Sequence, residues 1–220
     1  MQRYAFPCLL ATLFLAFVPG TRLPAAEPQA TGNPDPHAHH HHMMHMAQAA
    51  APRITHPRYR LPKLVLRDDQ DRPVDLQRLA QGPRPLIMNF IFTTCTTICP
   101  VMTSTFAGAY DRLMAAPVRP LLVSVTIDPE HDDPQVLARY RKKYHAGKDW
   151  LFLTGSPQDV RRLEQALDVY RGSKLNHEPV TLIHLPGRAA WVRMDGFTGT
   201  RRLVETYLAQ LDPHAATAAH

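Results

Sequence analysis

The stretch that decides the fold is Leu86-Ile87-Met88-Asn89-Phe90-Ile91-Phe92, running directly into Thr93-Thr94-Cys95-Thr96-Thr97-Ile98-Cys99-Pro100-Val101-Met102. The first seven residues are bulky and almost wholly apolar, as expected of a strand buried on both faces. Pro100 suits the first turn of a helix, where its missing N–H costs nothing. Beyond it Val101, Met102, Thr105, Phe106, Ala109, Tyr110 and Leu113 recur at helical spacing. Cys95 and Cys99 therefore fall at a strand-to-helix turn, where a helix N-terminus favours thiolate over thiol.

Two thiols four residues apart can close a disulfide, chelate a metal or pack as small apolar groups. A disulfide closing so small a ring would add only about 2 kcal/mol, which makes a purely structural bridge a weak reading. Exchange dithiols more often carry two intervening residues rather than three. Zinc in a closed site takes four protein ligands, and there is no second cysteine pair to supply them. Copper, Cu+ or Cu2+, is satisfied by two soft sulfurs and one imidazole and suits this inventory better.

The chain has 220 residues, 45% hydrophobic and 20% charged, enough for one globular domain with appendages. Residues 1–26 contain Arg3, an apolar run from Ala5 to Val18, and small residues at Ala25 and Ala26. They read as an export signal cleaved near Ala25 or Ala26, or as a short membrane anchor through residues 5–18. Cys8 lies within that run and reads as a small hydrophobe. The formal net charge of +6 drops to +4 without this segment, which holds Arg3 and Arg22 and no acid. The remaining basic residues are scattered, and the Arg139, Arg141, Lys142, Lys143 cluster complements a helix C-terminus, so no nucleic-acid partner is expected.

Residues 27–52 shift to Pro, Ala, Gln, His and Met with no periodicity and read as a disordered tether. Within them His37, His39, His40, His41, His42, Met43, Met44, His45 and Met46 form a dense set of borderline and soft donors suited to copper in either oxidation state. A purification tag would sit at a terminus and carry no methionine, so the segment reads as a natural copper-collecting tail.

From Arg58 the pattern becomes globular, with a domain over residues 53–212 and a tail at 213–220. Leu61, Leu64 and Leu66, then Val74 and Leu76 beyond a turn-like Asp68 to Pro73, predict an N-terminal hairpin. Leu121 to Ile127 predicts a second buried strand. Asp133 caps a helix led by Pro134, with Gly147 as its stop. Trp150 to Leu153 predicts a strand, and Ser156, Pro157 and Asp159 open the next helix. Strands over Val180 to Leu185 and Ala190 to Met194, joined at Pro186-Gly187, precede a last helix through Leu203, Val204, Tyr207, Leu208 and Leu211. This order predicts an α/β, thioredoxin-like fold, a central mixed sheet flanked by helices with an N-terminal hairpin extension.

Four ordered motifs carry a resemblance: FTTCTTICP, the IDPEHDDP segment at Ile127 to Pro134, FLTGS at Phe152 to Ser156, and SKLNHEP at Ser173 to Pro179. Together, over roughly Tyr59 to Leu211, they resemble the Sco/SenC family of copper metallochaperones. The resemblance implies a thioredoxin-like fold, delivery of copper to the binuclear copper site of cytochrome c oxidase, and ligation by both motif cysteines and a distant histidine. The matching residues are Cys95, Cys99 and His177. His56, His131, His145 and His184 read as surface or interface imidazoles. Two positions depart from the family pattern: Asn176 stands where an aspartate commonly precedes the histidine, and Glu178-Pro179 where small polar residues are usual. The Asn176 change removes a charge that could orient the imidazole.

The resulting expectation is an exported, periplasmic metallochaperone rather than a catalyst. Its partners would be the copper-receiving oxidase subunit and an exported thiol reductant that keeps the cysteine pair open. The alternative is a thiol-disulfide oxidoreductase in which Cys95 attacks and Cys99 resolves, acting on the oxidase cysteines or on another exported protein. A peroxidase fits less well, because the expected Thr and Arg do not stand at the required spacing.

Overall fold

The computed structural model describes residues 51–211; the signal or anchor of residues 1–26, nearly all of the 27–52 tether with its His37–Met46 cluster, and the 213–220 tail lie outside them. The first strand, β1 (Arg53–Thr55), is followed by β2 (Val65–Asp68), β3 (Pro73–Asp75), α1 (Leu76–Gln81), β4 (Leu86–Ile91), α2 (Ile98–Met114) and β5 (Leu121–Thr126). Then come α3 (Pro134–Lys143), β6 (Trp150–Thr154), α4 (Pro157–Ala166), a 3-10 turn (Lys174–Asn176), β7 (Val180–His184), β8 (Val192–Asp195) and α5 (Thr200–Leu211).

All eight strands join one mixed sheet in the order β1-β8-β7-β4-β5-β6-β2-β3. β4, β5 and β6 run parallel, each crossover made by a helix, while β7, β8 and β1 add antiparallel neighbours on one side. The predicted N-terminal hairpin is β2–β3, with Leu66 opposite Val74, and β2 pairs with β6 so that the hairpin extends the sheet.

Alternation along β4 divides the core. Leu86, Met88 and Phe90 face one layer, with Leu76 and Ala80 of α1 and Val160 and Leu163 of α4. Ile87 and Ile91 face the other, with Phe106 and Leu113 of α2, Leu137 of α3 and Tyr207 of α5. Covering both faces is what makes the central strands read as unbroken apolar runs. Within β4 the run is interrupted at Asn89, whose Oδ1 accepts from Ser124 Oγ at 2.7 Å, which in turn accepts from Trp150 Nε1 at 3.0 Å.

Caps follow the sequence. Asp133 accepts from the Val136 N–H at 2.8 Å and Ser156 from the Asp159 N–H at 3.1 Å, each ahead of a proline in the first turn. One boundary differs. Helix α3 ends at Lys143, and the left-handed residue that turns the chain is His145, with φ of 50°, rather than Gly147. Gly147 serves a close approach instead, since a Cβ there would lie 2.1 Å from the Tyr110 ring. Three short elements were not expected: β1, held by antiparallel pairing to β8; the 3-10 turn Lys174–Asn176; and α1, which takes Leu76 out of the predicted hairpin and is capped by Asp75 accepting from the Arg78 N–H at 2.9 Å.

Candidate metal centre

Strand β4 hands the chain to a turn at Phe92–Thr97, closed by the Cys95 N–H donating to the Phe92 carbonyl at 3.1 Å. Helix α2 begins at Ile98, two residues before Pro100, so Cys95 lies in the turn and Cys99 in the first helical turn. Cys99 is fully buried and Cys95 partly exposed, and both are free thiols. The Cys99 N–H points at Cys95 Sγ at 3.5 Å, and the Phe92 N–H at Cys99 Sγ at 3.3 Å.

These contacts split the two thiols. Burial alone would raise Cys95, but the N–H groups of Cys99 and Thr97 aimed at its sulfur outweigh that, so its thiol sits below the ordinary value. Burial drives Cys99 far up, with the Phe92 N–H offsetting only part, and the negative charge of Cys95 and Asp132 adding to the rise. Thiolate therefore forms more readily at Cys95 than at Cys99.

Asp132 is a site residue to which sequence reasoning assigned no role, although it lies in the IDPEHDDP segment. Fully buried, its carboxylate accepts from the Thr93 N–H at 3.0 Å and from the Thr93 and Thr126 hydroxyls. It thereby ties the β5–α3 loop to the turn two residues before Cys95. Nearby, Lys174 pairs with Asp128 and lies 5.7 Å from the centre of the Phe92 ring.

His177 follows the 3-10 turn and is only 7% exposed. Its Nε2 lies 3.0 Å from the Phe90 carbonyl oxygen. A carbonyl can only accept, so Nε2 carries the hydrogen. Burial lowers the imidazole below its ordinary value, more than the Phe90 bond and the Glu178 charge raise it, while Arg171 lowers it further. The neutral ring therefore presents its lone pair at Nδ1. His177 and Cys95 line one cleft of about 190 Å³, together with Phe92, Ile98, Lys174 and Leu175. Cys99, fully buried, is not part of that lining. Among the described residues no three His, Cys, Asp or Glu side chains stand preassembled around one point, so gathering Cys95, Cys99 and His177 on one ion requires them to turn.

The departures in the SKLNHEP loop have local explanations. Asn176 donates from Nδ2 to the Arg171 carbonyl at 3.3 Å, and the imidazole takes its orientation from Phe90. Glu178 clamps the loop through Arg171 Nε at 2.7 Å. His184 stacks on Trp191, with ring centres 4.4 Å apart, and lines a different cleft from Cys95.

A thiol pair carried on a strand-to-helix turn of a mixed sheet, with helices on both faces, defines a thioredoxin-like thiol protein. The SCO1/SenC family model matches residues 61–187, and the chain belongs to that family. A protein of Stutzerimonas stutzeri, provisionally named a copper-binding protein, is 38% identical over 108 residues, 49% of this chain and 51% of that one. The chain spans about half the length of that relative, and its match to the SCO1 protein homolog of Bacillus subtilis (38% identical, 33% of this chain) spans 38% of that one. Among solved structures, Arabidopsis thaliana ScoI with copper bound aligns with a TM-score of 0.58 at 23% identity, over 67% of this chain and 95% of that one.

Proposed function

We propose that this protein is a copper metallochaperone that holds one copper ion between Cys95, Cys99 and His177 and delivers it to the binuclear copper site of cytochrome c oxidase. The observation that carries this reading is the shared cleft of Cys95 and His177, where a depressed thiol meets an imidazole held neutral with Nδ1 free. Soft sulfur and imidazole together select copper over the hard divalent ions. Membership of the SCO1/SenC family and a relative named for copper binding support it. The export-like residues 1–26 support a periplasmic location, and His37–Met46 a role in collecting the metal. Cys99 must lose its proton when metal enters, so loading releases protons and exchange proceeds ligand by ligand toward partner thiolates.

Anaerobic titration of the reduced full chain with copper(I) tests this reading. One tight site is expected beyond those of the tail, lost in Cys95→Ser and Cys99→Ser and weakened in His177→Ala. Unchanged affinity in all three variants would refute the site. Equal stoichiometry with and without His37–Met46 would remove the tail's role.

The asymmetry of the two thiols favours a second reading, thiol-disulfide exchange. The Cys95 thiolate would attack a client disulfide to give a mixed disulfide, and Cys99 would then lose its proton and displace the client as a dithiol, leaving Cys95–Cys99 oxidised by two electrons. Either reading needs an exported reductant to reopen the pair. Fast metal-free exchange with a disulfide peptide carrying the oxidase cysteine motif, with no copper transfer to the reduced peptide, would favour this second role.

A further inference from the structure

A cleft of about 220 Å³, which shares His177 and Lys174 with the Cys95 cleft, opens between α4, the β5–α3 turn and the loop before the 3-10 turn. Glu164 of α4 lines it. It stands four residues after Val160 and beside Leu163, on the stripe where the helix pattern calls for an apolar side chain. It is 8% exposed, and among the described residues its carboxylate has no hydrogen-bond or ion-pair partner; burial pushes it up to about 7, with only the charge of Arg161 pulling the other way. The side chain is buried in the helix interface while its carboxylate opens onto the cleft, so a cation entering there would offset the cost of its charge.

The rest of the lining indicates what would enter. Lys174 is neutralised by Asp128, and Arg171 by Glu178 and Asp168. Arg161 lies over the Tyr170 ring, 5.7 Å from its centre. With Glu164 ionised, the charges left unmatched on the walls are thus Glu130 and Glu164 against Arg161, an excess of one negative charge. Between the shared residues Lys174 and His177, the 3-10 turn presents Leu175, 83% exposed, an apolar contact on the lining of the Cys95 cleft.

We propose that this cleft receives a lysine or arginine side chain of the partner that docks at the thiol site, with the Glu164 carboxylate as its counter-charge. Only the partner's role rests on the metallochaperone reading; the cation pocket stands or falls by itself. Because the two clefts share His177 and Lys174, docking of a basic side chain in one brings the partner's own ligands toward Cys95 in the other.

The test uses the reduced, metal-free full chain labelled with nitrogen-15, titrated with N-acetyl-lysine methylamide, its uncharged norleucine counterpart, and inorganic phosphate. The lysine probe is expected to give saturable shifts at Asp128, Glu130 and Tyr170 to Ser173, with an affinity on the order of millimolar. Norleucine and phosphate should give none there. Glu164→Gln should weaken binding about tenfold, the loss expected for one hydrogen bond to a charged group. Arg161→Gln should strengthen it about twofold by removing the opposing cation. Absence of saturable shifts, equal response to norleucine, cleft shifts from phosphate instead, or indifference to both substitutions would overturn the proposal. Because no metal is present, failure here leaves the copper titration standing, and failure of that titration leaves this result intact.

Discussion

The Nε2 of His177 and the carbonyl oxygen of Phe90, 87 residues apart, lie 3.0 Å from each other. This bond fixes the tautomer of the ring and ties the SKLNHEP loop to the strand that delivers Cys95. His177→Ala should therefore do two things: weaken copper binding by at least about tenfold, as loss of a contact that positions or forms a ligand set does, and lower stability by about 1–3 kcal/mol, because the Phe90 carbonyl is left buried without its donor. Copper(I) competition titration and urea denaturation of the same variant separate the two. A variant as stable as the parent would mean the Phe90 bond does not hold the loop.

The contrast between a partly exposed, lowered thiol at Cys95 and a buried, raised one at Cys99 predicts one-sided chemistry. Iodoacetamide should modify Cys95 at least about tenfold faster than Cys99 near neutral pH, with a midpoint below that of an ordinary thiol. Mass spectrometry of partly alkylated protein reads the ratio. Equal labelling would show that the N–H groups around Cys95 do not stabilise its thiolate.

The apolar runs of β4, β5 and β7 and the capped starts of α3 and α4 were legible because their determinants are local: a short continuous apolar run, an Asp or Ser cap, a proline in the first turn. The three-residue β1 depends on pairing with β8, and the six-residue α1 is too short to show a period, so neither was visible. Gly147 was misread as a helix stop because His145 takes the left-handed position while Gly147 answers to Tyr110 on another helix. Within the site, the Cys95 and Cys99 turn follows from sequence order, whereas His177 could be singled out only through the resemblance. Asp132 meets Thr93 across 39 residues, and no local pattern records that contact.

That contact yields a third prediction. All three donors to Asp132 are N–H or O–H groups, from Thr93 and Thr126, so an amide in its place would turn an NH2 toward donors. Asp132→Asn should cost about 2–4 kcal/mol in urea denaturation, the range for disrupting a buried charged hydrogen-bond network. It should also loosen the turn at Thr93, narrowing the difference in alkylation rate between Cys95 and Cys99. A stable variant with the parent's alkylation ratio would show that the turn is held by β4 and α2 alone.

Glu164 gives a prediction in pH. Its carboxyl is raised to about 7 by burial, whereas in the unfolded chain it titrates near 4.5. The folded state thus holds this proton more tightly than the unfolded state. Its contribution to stability is fully present below the unfolded value and is lost as pH rises through about 7. Glu164→Gln has no such titration, so the stability of the variant relative to the parent should rise between pH 5 and pH 8. Because water reaches the carboxyl through the open cleft, the rise should be roughly 1–2 kcal/mol rather than the full value of the shift. Taking the difference between the two proteins cancels the histidines that titrate in the same window. Urea denaturation at a series of pH values measures it, and a difference that stays flat from pH 5 to pH 8 would show that Glu164 is already neutralised in the folded protein.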